Sequence, residues 1–390
     1  MSHSKRAVLL GIVMAFATPL WAADPVKVPL LTTPIPDDTS YTTSLSILGN
    51  PPPTYFRLTQ ETPTQKFTIG GLDCLVKIES PTTAPANGSP VLCKLLFKTP
   101  TQEFTFNSDR SLKLMELTLD NGRKYLLKGR GYSYSVTDPE THKENIYASG
   151  TIVPAGVQTG KIGNTPIALY DSNLDGFYTT DKDGLVIGSP TQVTNGSTTN
   201  KYHLVQPFSK YIRTPDGIFE LQNIAKDGSE LTALPYNGPT ATLELLAPPK
   251  CSGQIIMTSP DANLNVTLTG KTGDSATVIP GSYTLLAGKI DIPPQESLPK
   301  GSWIYVTGPG MSALKLTPGA KQTLTLSGPT TLEFQAALVN GKINIKPDTL
   351  QTKGQSGETY LYVDYDTKNP PEVSLNVDGK STILGKMEFG

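Results

Sequence analysis

The chain has 390 residues, with 33 Lys and Arg against 34 Asp and Glu and a formal net charge of −1. This balance gives no basic footprint for nucleic acid or for an anionic membrane surface, so nucleic acid is excluded as a partner class. The 35 glycines and 34 prolines favour many short strands joined by tight turns.

Residues 1–22 have the pattern of a cleavable secretory signal peptide. Lys5 and Arg6 precede an apolar run, Ala7 to Leu20, which is shorter than the ~20 residues that a membrane-spanning helix needs. We expect cleavage after Ala22 and a mature protein that is secreted or lies in the periplasm or cell envelope, with no transmembrane segment. The alternative is a retained N-terminal anchor.

The rest of the sequence predicts an all-β, multi-domain β-sandwich architecture with short strands, tight turns and little or no helix. Strand-like runs recur between turn residues, and no capped amphipathic helix is evident. Leu112–Leu119 and Arg123–Lys128, separated by Asp120-Asn121-Gly122, have the chemistry of a β-hairpin.

Composition suggests four segments after the signal peptide. They are a Pro- and Thr-rich leader at 23–60, a β-rich domain at 61–247, a small β module at 248–300 and an Ig-like β-sandwich at 301–390. The leader is expected to be extended and partly ordered. The run Ala247-Pro248-Pro249 marks the expected boundary before the small module, and short strands after Trp303 suit an Ig-like sandwich.

The segment Pro280-Gly281-Ser282-Tyr283-Thr284-Leu285 resembles the P-G-x-Y-x-L corner of transthyretin-like and PEGA-type β-sandwich modules. The resemblance implies that Pro280 and Gly281 make a turn and that the ring of Tyr283 packs into the sandwich. It implies a fold and no function. An ordinary Pro-Gly turn before a strand is the alternative.

Three cysteines are present, and their spacing matches no zinc site. Cys74 and Cys93 lie in two strand-like runs that a hairpin return would place near each other. In an oxidising compartment they would form a disulfide, and the alternative is a pair of reduced core cysteines. Cys251 is the odd one and is expected to be free.

The one chemical motif is the D-x-N-x-D-G pattern that begins at residue 171. A hard cation such as Ca²⁺ takes six to eight oxygen ligands, and positions 1, 3 and 5 of a tight loop direct side-chain oxygens inward. These positions are Asp171, Asn173 and Asp175. Gly176 supplies the sharp turn and Phe177 a backbone carbonyl. The pattern predicts a calcium-binding loop.

The motif departs from an EF-hand because Lys182 stands where a bidentate Glu belongs. Asp181 and Asp183 flank that position, and either carboxylate is expected to close the site. The flanks are strand-like, so the loop resembles the wider class of dockerin-like D-x-D-x-D-G loops in exported bacterial proteins. The alternative is a polar turn whose Asx side chains cap the backbone.

No catalytic residue is assigned. His142 and His203 lie among polar residues, and no nucleophile elbow, HExxH or P-loop is present. Asp364 and Asp366 are a candidate carboxylate pair or the solvent face of an edge strand. A further candidate is a sugar-stacking platform of tyrosines, at positions Tyr132, Tyr134, Tyr178, Tyr202, Tyr211 and Tyr236.

The sequence therefore favours an exported, non-enzymatic β-sandwich protein with a structural calcium ion. Its expected role is in envelope structure, adhesion or glycan binding, with an extracellular glycan or an envelope protein as the partner. The alternative function is a secreted hydrolase that acts on extracellular polysaccharide or protein.

Overall fold

The computed structural model describes the part of the chain from residue 24 to residue 386, with gaps. The described residues are 24–36, 39–43, 55–59, 61–79, 92–97, 101–106, 112–119, 121–137, 140–141, 144–178, 183–195, 198–292, 302–326, 331–339, 342–345, 349–363, 372–377 and 380–386. The predicted signal peptide lies outside them.

The described residues form β-strands and turns without an α-helix, so the all-β prediction is confirmed. In chain order, the strands of the first half are β1 (Val26–Pro29), β2 (Leu31–Pro34), β3 (Thr39–Thr43), β4 (Tyr55–Thr59), β5 (Thr64–Ile69), β6 (Leu72–Glu79), β7 (Leu92–Phe97), β8 (Gln102–Thr105), β9 (Lys113–Thr118), β10 (Lys124–Thr137), β11 (Glu144–Pro154), β12 (Gly156–Ile162), β13 (Thr165–Tyr170), β14 (Gly184–Ile187), β15 (Thr191–Asn195), β16 (Thr198–Pro207) and β17 (Tyr211–Thr214).

The strands of the second half continue the same pattern. They are β18 (Gly217–Ile224), β19 (Glu230–Pro235), β20 (Ala241–Leu246), β21 (Ser252–Ser259), β22 (Leu264–Leu268), β23 (Ser275–Val278), β24 (Gly281–Ile292), β25 (Ser302–Thr307), β26 (Leu314–Leu316), β27 (Lys321–Thr325), β28 (Thr331–Glu333), β29 (Ala336–Val339), β30 (Lys342–Ile345), β31 (Gln351–Lys353), β32 (Thr359–Val363), β33 (Glu372–Val377) and β34 (Lys380–Lys386).

The first hydrophobic core lies between two four-stranded sheets, β4-β11-β10-β9 and β5-β6-β7-β8. Alternate residues of these strands point inward, and Phe56, Leu95 and Leu127 are fully buried among them. The predicted hairpin is confirmed, because β9 pairs with β10 in antiparallel register from Thr118↔Lys124 to Lys113↔Gly129.

The second core lies between β1 and β17–β19 on one side and β12–β14 on the other. The expected leader contributes to it directly. Strand β1 pairs with β19, β2 pairs with β12, and β3 pairs in parallel with β16. Because Val28 and Leu30 are buried, this part of the leader belongs to the folded protein and is not a separate extension.

The third core is continuous across the expected boundaries at 247/248 and 300/301. Strand β20 pairs with β23 and in parallel with β27, and β24 pairs with β25. Local composition marks turns such as Pro248-Pro249, whereas hydrogen bonding between distant strands determines where one core ends.

The Pro280-Gly281 corner forms the turn that the sequence predicts. Tyr283 is fully buried in the third core, and its hydroxyl donates a 2.6 Å hydrogen bond to the carbonyl of Ile279. Gly281 is required there, since a Cβ atom would lie 2.7 Å from Oγ of Ser259. The local prediction for Tyr283 is confirmed, while the family resemblance stays a prediction.

The expected pairing of Cys74 with Cys93 is wrong for this fold. In the β6–β7 register, Cys74 stands opposite Phe97, and Cys93 stands opposite Ile78. Four positions along a strand correspond to ~13 Å, well beyond disulfide reach. Cys74 is a buried free thiol, and Cys251 is buried and free as expected.

Candidate metal centre

The D-x-N-x-D-G loop begins directly after β13. Its first residue, Asp171, is fully buried. Oδ2 of Asp171 accepts hydrogen bonds from the hydroxyl of Tyr125 at 2.5 Å and from the backbone N–H of Gly176 at 2.8 Å. Oδ1 is buried with no hydrogen-bond partner among the described residues. Within the described structure Oδ1 thus has no hydrogen bond of normal geometry, although the backbone N–H of Leu174 also acts on the carboxylate and lowers its pKa.

Asn173 and Asp175 shape the turn through their side chains. Oδ1 of Asn173 accepts from the N–H of Asp175 at 3.1 Å, and Oδ1 of Asp175 accepts from the N–H of Phe177 at 2.8 Å. The Asn173 amide also donates to Oδ2 of Asp175 at 2.9 Å. These are Asx turns, the alternative that the sequence left open. A carboxylate has about four lone-pair sites, so the bonds leave capacity for a cation.

The backbone turns sharply where the motif predicts it. Gly176 has φ +80°, and a Cβ atom there would lie 3.0 Å from the Cα of Gly70. Leu174 also has a positive φ of 60°, and its carbonyl accepts a 2.6 Å hydrogen bond from the N–H of Gly70. The loop therefore packs closely on the β5–β6 turn of the first sandwich.

Asp183 lies at the other end of the loop, just before β14. Strands β13 and β14 pair with Tyr170 opposite Gly184, so the next opposing positions are Asp171 and Asp183. Both are buried, at 0 % and 2 % exposure. The pKa of buried Tyr178 is raised chiefly by burial and further by the charges of Asp171 and Asp183. Five of the six predicted ligand residues thus lie in the described part of this loop, while Asp181 lies outside the described residues.

Two cations contact this loop, and sequence reasoning missed both. The Arg123 guanidinium donates to the carbonyl of Gly176 and, at 2.9 Å, to the carbonyl of Asp227. The Lys226 ammonium lies 4.0 Å from the centre of the Phe177 ring. Tyr125 was missed as well. No local pattern marks these residues, because tertiary packing of distant turns places them here.

Burial raises the pKa of Asp171 to about 6. Hydrogen bonds from Tyr125 and Gly176 lower this pKa, and the charge of Asp175 raises it. At neutral pH the carboxyl group is therefore mostly ionised while shielded from water. A buried charge is costly unless it is paired or coordinates a cation.

The donors present are of the oxygen type that calcium takes. Among the described residues, no three His, Cys, Asp or Glu side chains lie close enough together to hold a metal ion. A calcium ion at this loop would therefore also need the Asn173 amide oxygen, backbone carbonyls such as that of Phe177, and water. The buried Oδ1 of Asp171, which has no hydrogen bond of normal geometry in the described structure, is the observation that fits such an ion.

Among the described residues, the others that the sequence singled out do not form a common site. His203 is 6 % exposed, and burial lowers its pKa to about 4, so it is neutral at physiological pH. Tyr178 and Tyr202 are buried in separate cores, whereas Tyr211 and Tyr236 stack edge to face at 5.3 Å elsewhere. The six tyrosines therefore do not make one platform. His142, Asp364, Asp366 and the side chain of Tyr134 lie outside the described structure.

An open groove of about 560 Å³ lies on the third sandwich, lined by Ser252, Gly253, Thr269, Lys271, Thr272, Gly273 and Asp274. Its carboxylate, Asp274, accepts hydrogen bonds from the N–H groups of Thr269 and Ser275. It therefore caps a turn, and the groove carries no carboxylate pair for acid–base catalysis.

The chain matches no family model, no curated protein and no solved structure. The resemblance of the 171–183 loop to the calcium loops of exported proteins stays a prediction. Within the described ranges, no helix is long and apolar enough to cross a membrane.

Proposed function

We propose that this chain is an exported, non-enzymatic β-sandwich protein with a structural calcium ion in the 171–183 loop. Its role is in cell-envelope structure, adhesion or glycan binding. The N-terminal pattern of residues 1–22 supports export, and the all-β fold suits a binding or structural module. Mass spectrometry of exported material should find a mature N-terminus near Ala23, and an intact Met1 would contradict export with cleavage.

The observation that carries the calcium proposal is the buried Oδ1 of Asp171, which has no hydrogen-bond partner in the described structure. Asp183 lies buried at the other end of the loop, directly before β14. A divalent cation bound to Asp171 would offset the negative charge that Asp175 places near this carboxylate. It also joins the two strands that the loop connects.

The affinity is expected to be weak because Lys182 replaces the bidentate Glu of an EF-hand. Extracellular calcium modules bind with dissociation constants of about 10⁻⁴–10⁻³ M. Because the ion binds the folded loop and not the open chain, millimolar calcium would add at most ~1.4 kcal/mol to the free energy of unfolding.

Within the part of the chain that the structure describes, no feature favours the hydrolase alternative. A polysaccharide hydrolase needs two carboxyl groups that face a substrate cleft. The candidate pair Asp364 and Asp366 lies outside the described residues, and Asp171 is packed under the loop. The groove near Asp274 holds a carboxylate that is already committed to backbone N–H groups.

The test is thermal unfolding of the mature chain in calcium and in a chelator. Calcium is expected to raise the unfolding midpoint of the native protein by a few degrees and that of Asp171→Ala by nothing. Asp216→Ala is the matched control, because Asp216 also accepts hydrogen bonds in a turn but lies outside the loop. This control should keep the calcium response. A native protein without a calcium shift, or an equal shift in Asp171→Ala, contradicts the site.

A further inference from the structure

The sheet β4-β11-β10-β9 has one face in the first core and an opposite, outward face. Phe56 lies in the core, and a Cβ atom at Gly150 or Gly129 would meet the core rings of Phe56 or Phe106. The neighbours of these residues along each strand therefore point outward. Register places the outward residues in rows across the sheet. One row is Tyr55, Thr151 and Arg130, and the next is Arg57, Ser149 and Tyr132. We call these six residues the Tyr–Arg face.

The Tyr–Arg face is open to solvent at its ends. Tyr55 is 41 % exposed, and Arg57 and Arg130 are exposed. Ser149 faces the same way but is only 2 % exposed, as expected for a small residue between the larger Arg57 and Tyr132. Since neighbouring strands are ~4.8 Å apart, the outer residues of each row lie about 10 Å from each other.

Charge on this face is one-sided. From the row of Lys128 to the row of Tyr147, no described outward residue of the sheet is Asp or Glu. Further along the face, Glu116 is held by Lys124 at 2.9 Å. The chain as a whole carries a formal net charge of −1, whereas this patch of the surface is positively charged.

The chemistry of the face suits a carbohydrate that carries carboxylates. A guanidinium group binds a carboxylate through two parallel hydrogen bonds, and Arg is suited to such planar recognition. Tyr offers a flat apolar ring with a polar tip, which can cover one face of a sugar ring. Ser149 and Thr151 have small side chains in the middle of the two rows, so a ligand would contact the more exposed side chains at the ends, such as Tyr55, Arg57 and Arg130.

Peptide recognition by strand addition is disfavoured at this place. Such binding needs free backbone groups on an edge strand. At the edge of β4, the side chain of Gln65 accepts from the N–H of Arg57 at 3.3 Å and donates to the carbonyl of Tyr55 at 3.4 Å. The edge is thereby closed and the face is left as the accessible surface.

We propose that the Tyr–Arg face binds an acidic polysaccharide, of the class built from uronic acid units. This inference rests on the glycan-binding role in the proposed function and names the surface and the ligand class. Arg57 and Arg130 would pair with carboxylates, and Tyr55 and Tyr132 would contact sugar rings.

The experiment measures binding of the whole mature chain to immobilised polygalacturonate, with chelator present so that calcium neither bridges the polymer nor fills the loop. Arg57→Ala, Arg130→Ala and Tyr55→Ala are each expected to weaken binding about tenfold. Lys124→Ala, which removes a cation from the same sheet outside the face, is the matched control and should bind as the native chain does.

Neutral dextran and poly-glutamate complete the test. Both are expected to bind at least about tenfold more weakly than polygalacturonate, because the first lacks charge and the second lacks sugar rings. Equal or tighter poly-glutamate binding would overturn the proposal in favour of an acidic protein partner. Polygalacturonate binding that the face variants leave unchanged would overturn this surface but keep the glycan role. If neither polygalacturonate nor dextran binds, both the Tyr–Arg face as a binding surface and the glycan-binding role are overturned.

The variants lie on an outward face, so their thermal unfolding should match that of the native chain within about 0.5 kcal/mol. A double variant, Arg57→Lys with Arg130→Lys, tests the geometry separately from the charge. It is expected to lose about tenfold in affinity, because Lys binds a carboxylate as a point charge. Full binding by this variant would contradict planar recognition by arginine.

Discussion

The hydroxyl of Tyr125 donates a 2.5 Å hydrogen bond to Oδ2 of Asp171, and the two residues are 46 positions apart in the chain. Tyr125 belongs to β10 of the first core, whereas Asp171 begins the loop after β13 of the second. This bond therefore fastens the candidate calcium loop to the neighbouring sandwich. Burial, and then the charge of Asp171, raises the pKa of Tyr125 well above its usual value, so the phenol stays a donor.

Replacement of Tyr125 by Phe should destabilise the protein through this one bond. A hydrogen bond to a charged group contributes ~1.5–3 kcal/mol, and the change would remove one of the two hydrogen bonds that Oδ2 of this buried carboxylate accepts. Chemical denaturation at pH 7.5 in chelator measures the loss. Tyr55→Phe, at an exposed ring, is the control and should change the free energy of unfolding by less than about 0.5 kcal/mol. An equal loss of unfolding free energy in Tyr125→Phe and Tyr55→Phe would refute an energetic role for the bond.

The Asp171 carboxyl should make the protein less stable as the pH rises. Its folded-state pKa of about 6 exceeds the unfolded value near 3.9, so its contribution is fully present below pH ~3.9 and is lost as the pH rises through 6. The loss is on the order of 3 kcal/mol in chelator. Asp171→Asn removes this titration. The free energy of unfolding of this variant should therefore rise relative to that of the native protein as the pH goes from 4.5 to 7.5.

The control for this titration is Asp216→Asn. Hydrogen bonds from Thr165 and Asn164 lower the pKa of Asp216, so its contribution is present at neutral pH and is lost as the pH falls. The free energy of unfolding of Asp216→Asn, relative to the native protein, should therefore fall as the pH rises, whereas that of Asp171→Asn should increase. Parallel pH profiles for the native protein and Asp171→Asn would contradict the buried titration of Asp171.

Cys74 should behave as a buried thiol and not as half of a disulfide. Burial raises its pKa to about 12, so iodoacetamide should not label it in the folded protein. After denaturation without reductant, peptide mass spectrometry should find Cys74 alkylated, and the same holds for the free Cys251. Labelling of Cys74 only after reduction would show that the β6–β7 register is wrong.

Features that depend on a few consecutive residues could be predicted from the sequence. The hairpin of β9 and β10, the positive φ of Gly176 and the buried ring of Tyr283 are all confirmed. Each follows from local turn chemistry or from alternation along one strand, which are physical properties of neighbouring residues. The all-β class follows for the same reason, since it is the sum of such local preferences.

Which strands pair, and therefore which side chains meet, was decided by the tertiary structure. The sequence placed Cys74 near Cys93, but register set them four positions apart. It placed a boundary at residue 248, but β20 pairs with strands beyond it.

The candidate site shows the same division between local and long-range information. The sequence by itself determined the oxygen-rich loop of Asp171, Asn173 and Asp175. Only packing of the first sandwich against that loop supplied the hydroxyl of Tyr125 and the guanidinium of Arg123, and buried Asp171 beneath them. The charge state of a carboxyl group depends on its burial and its partners, and both are properties of the folded chain.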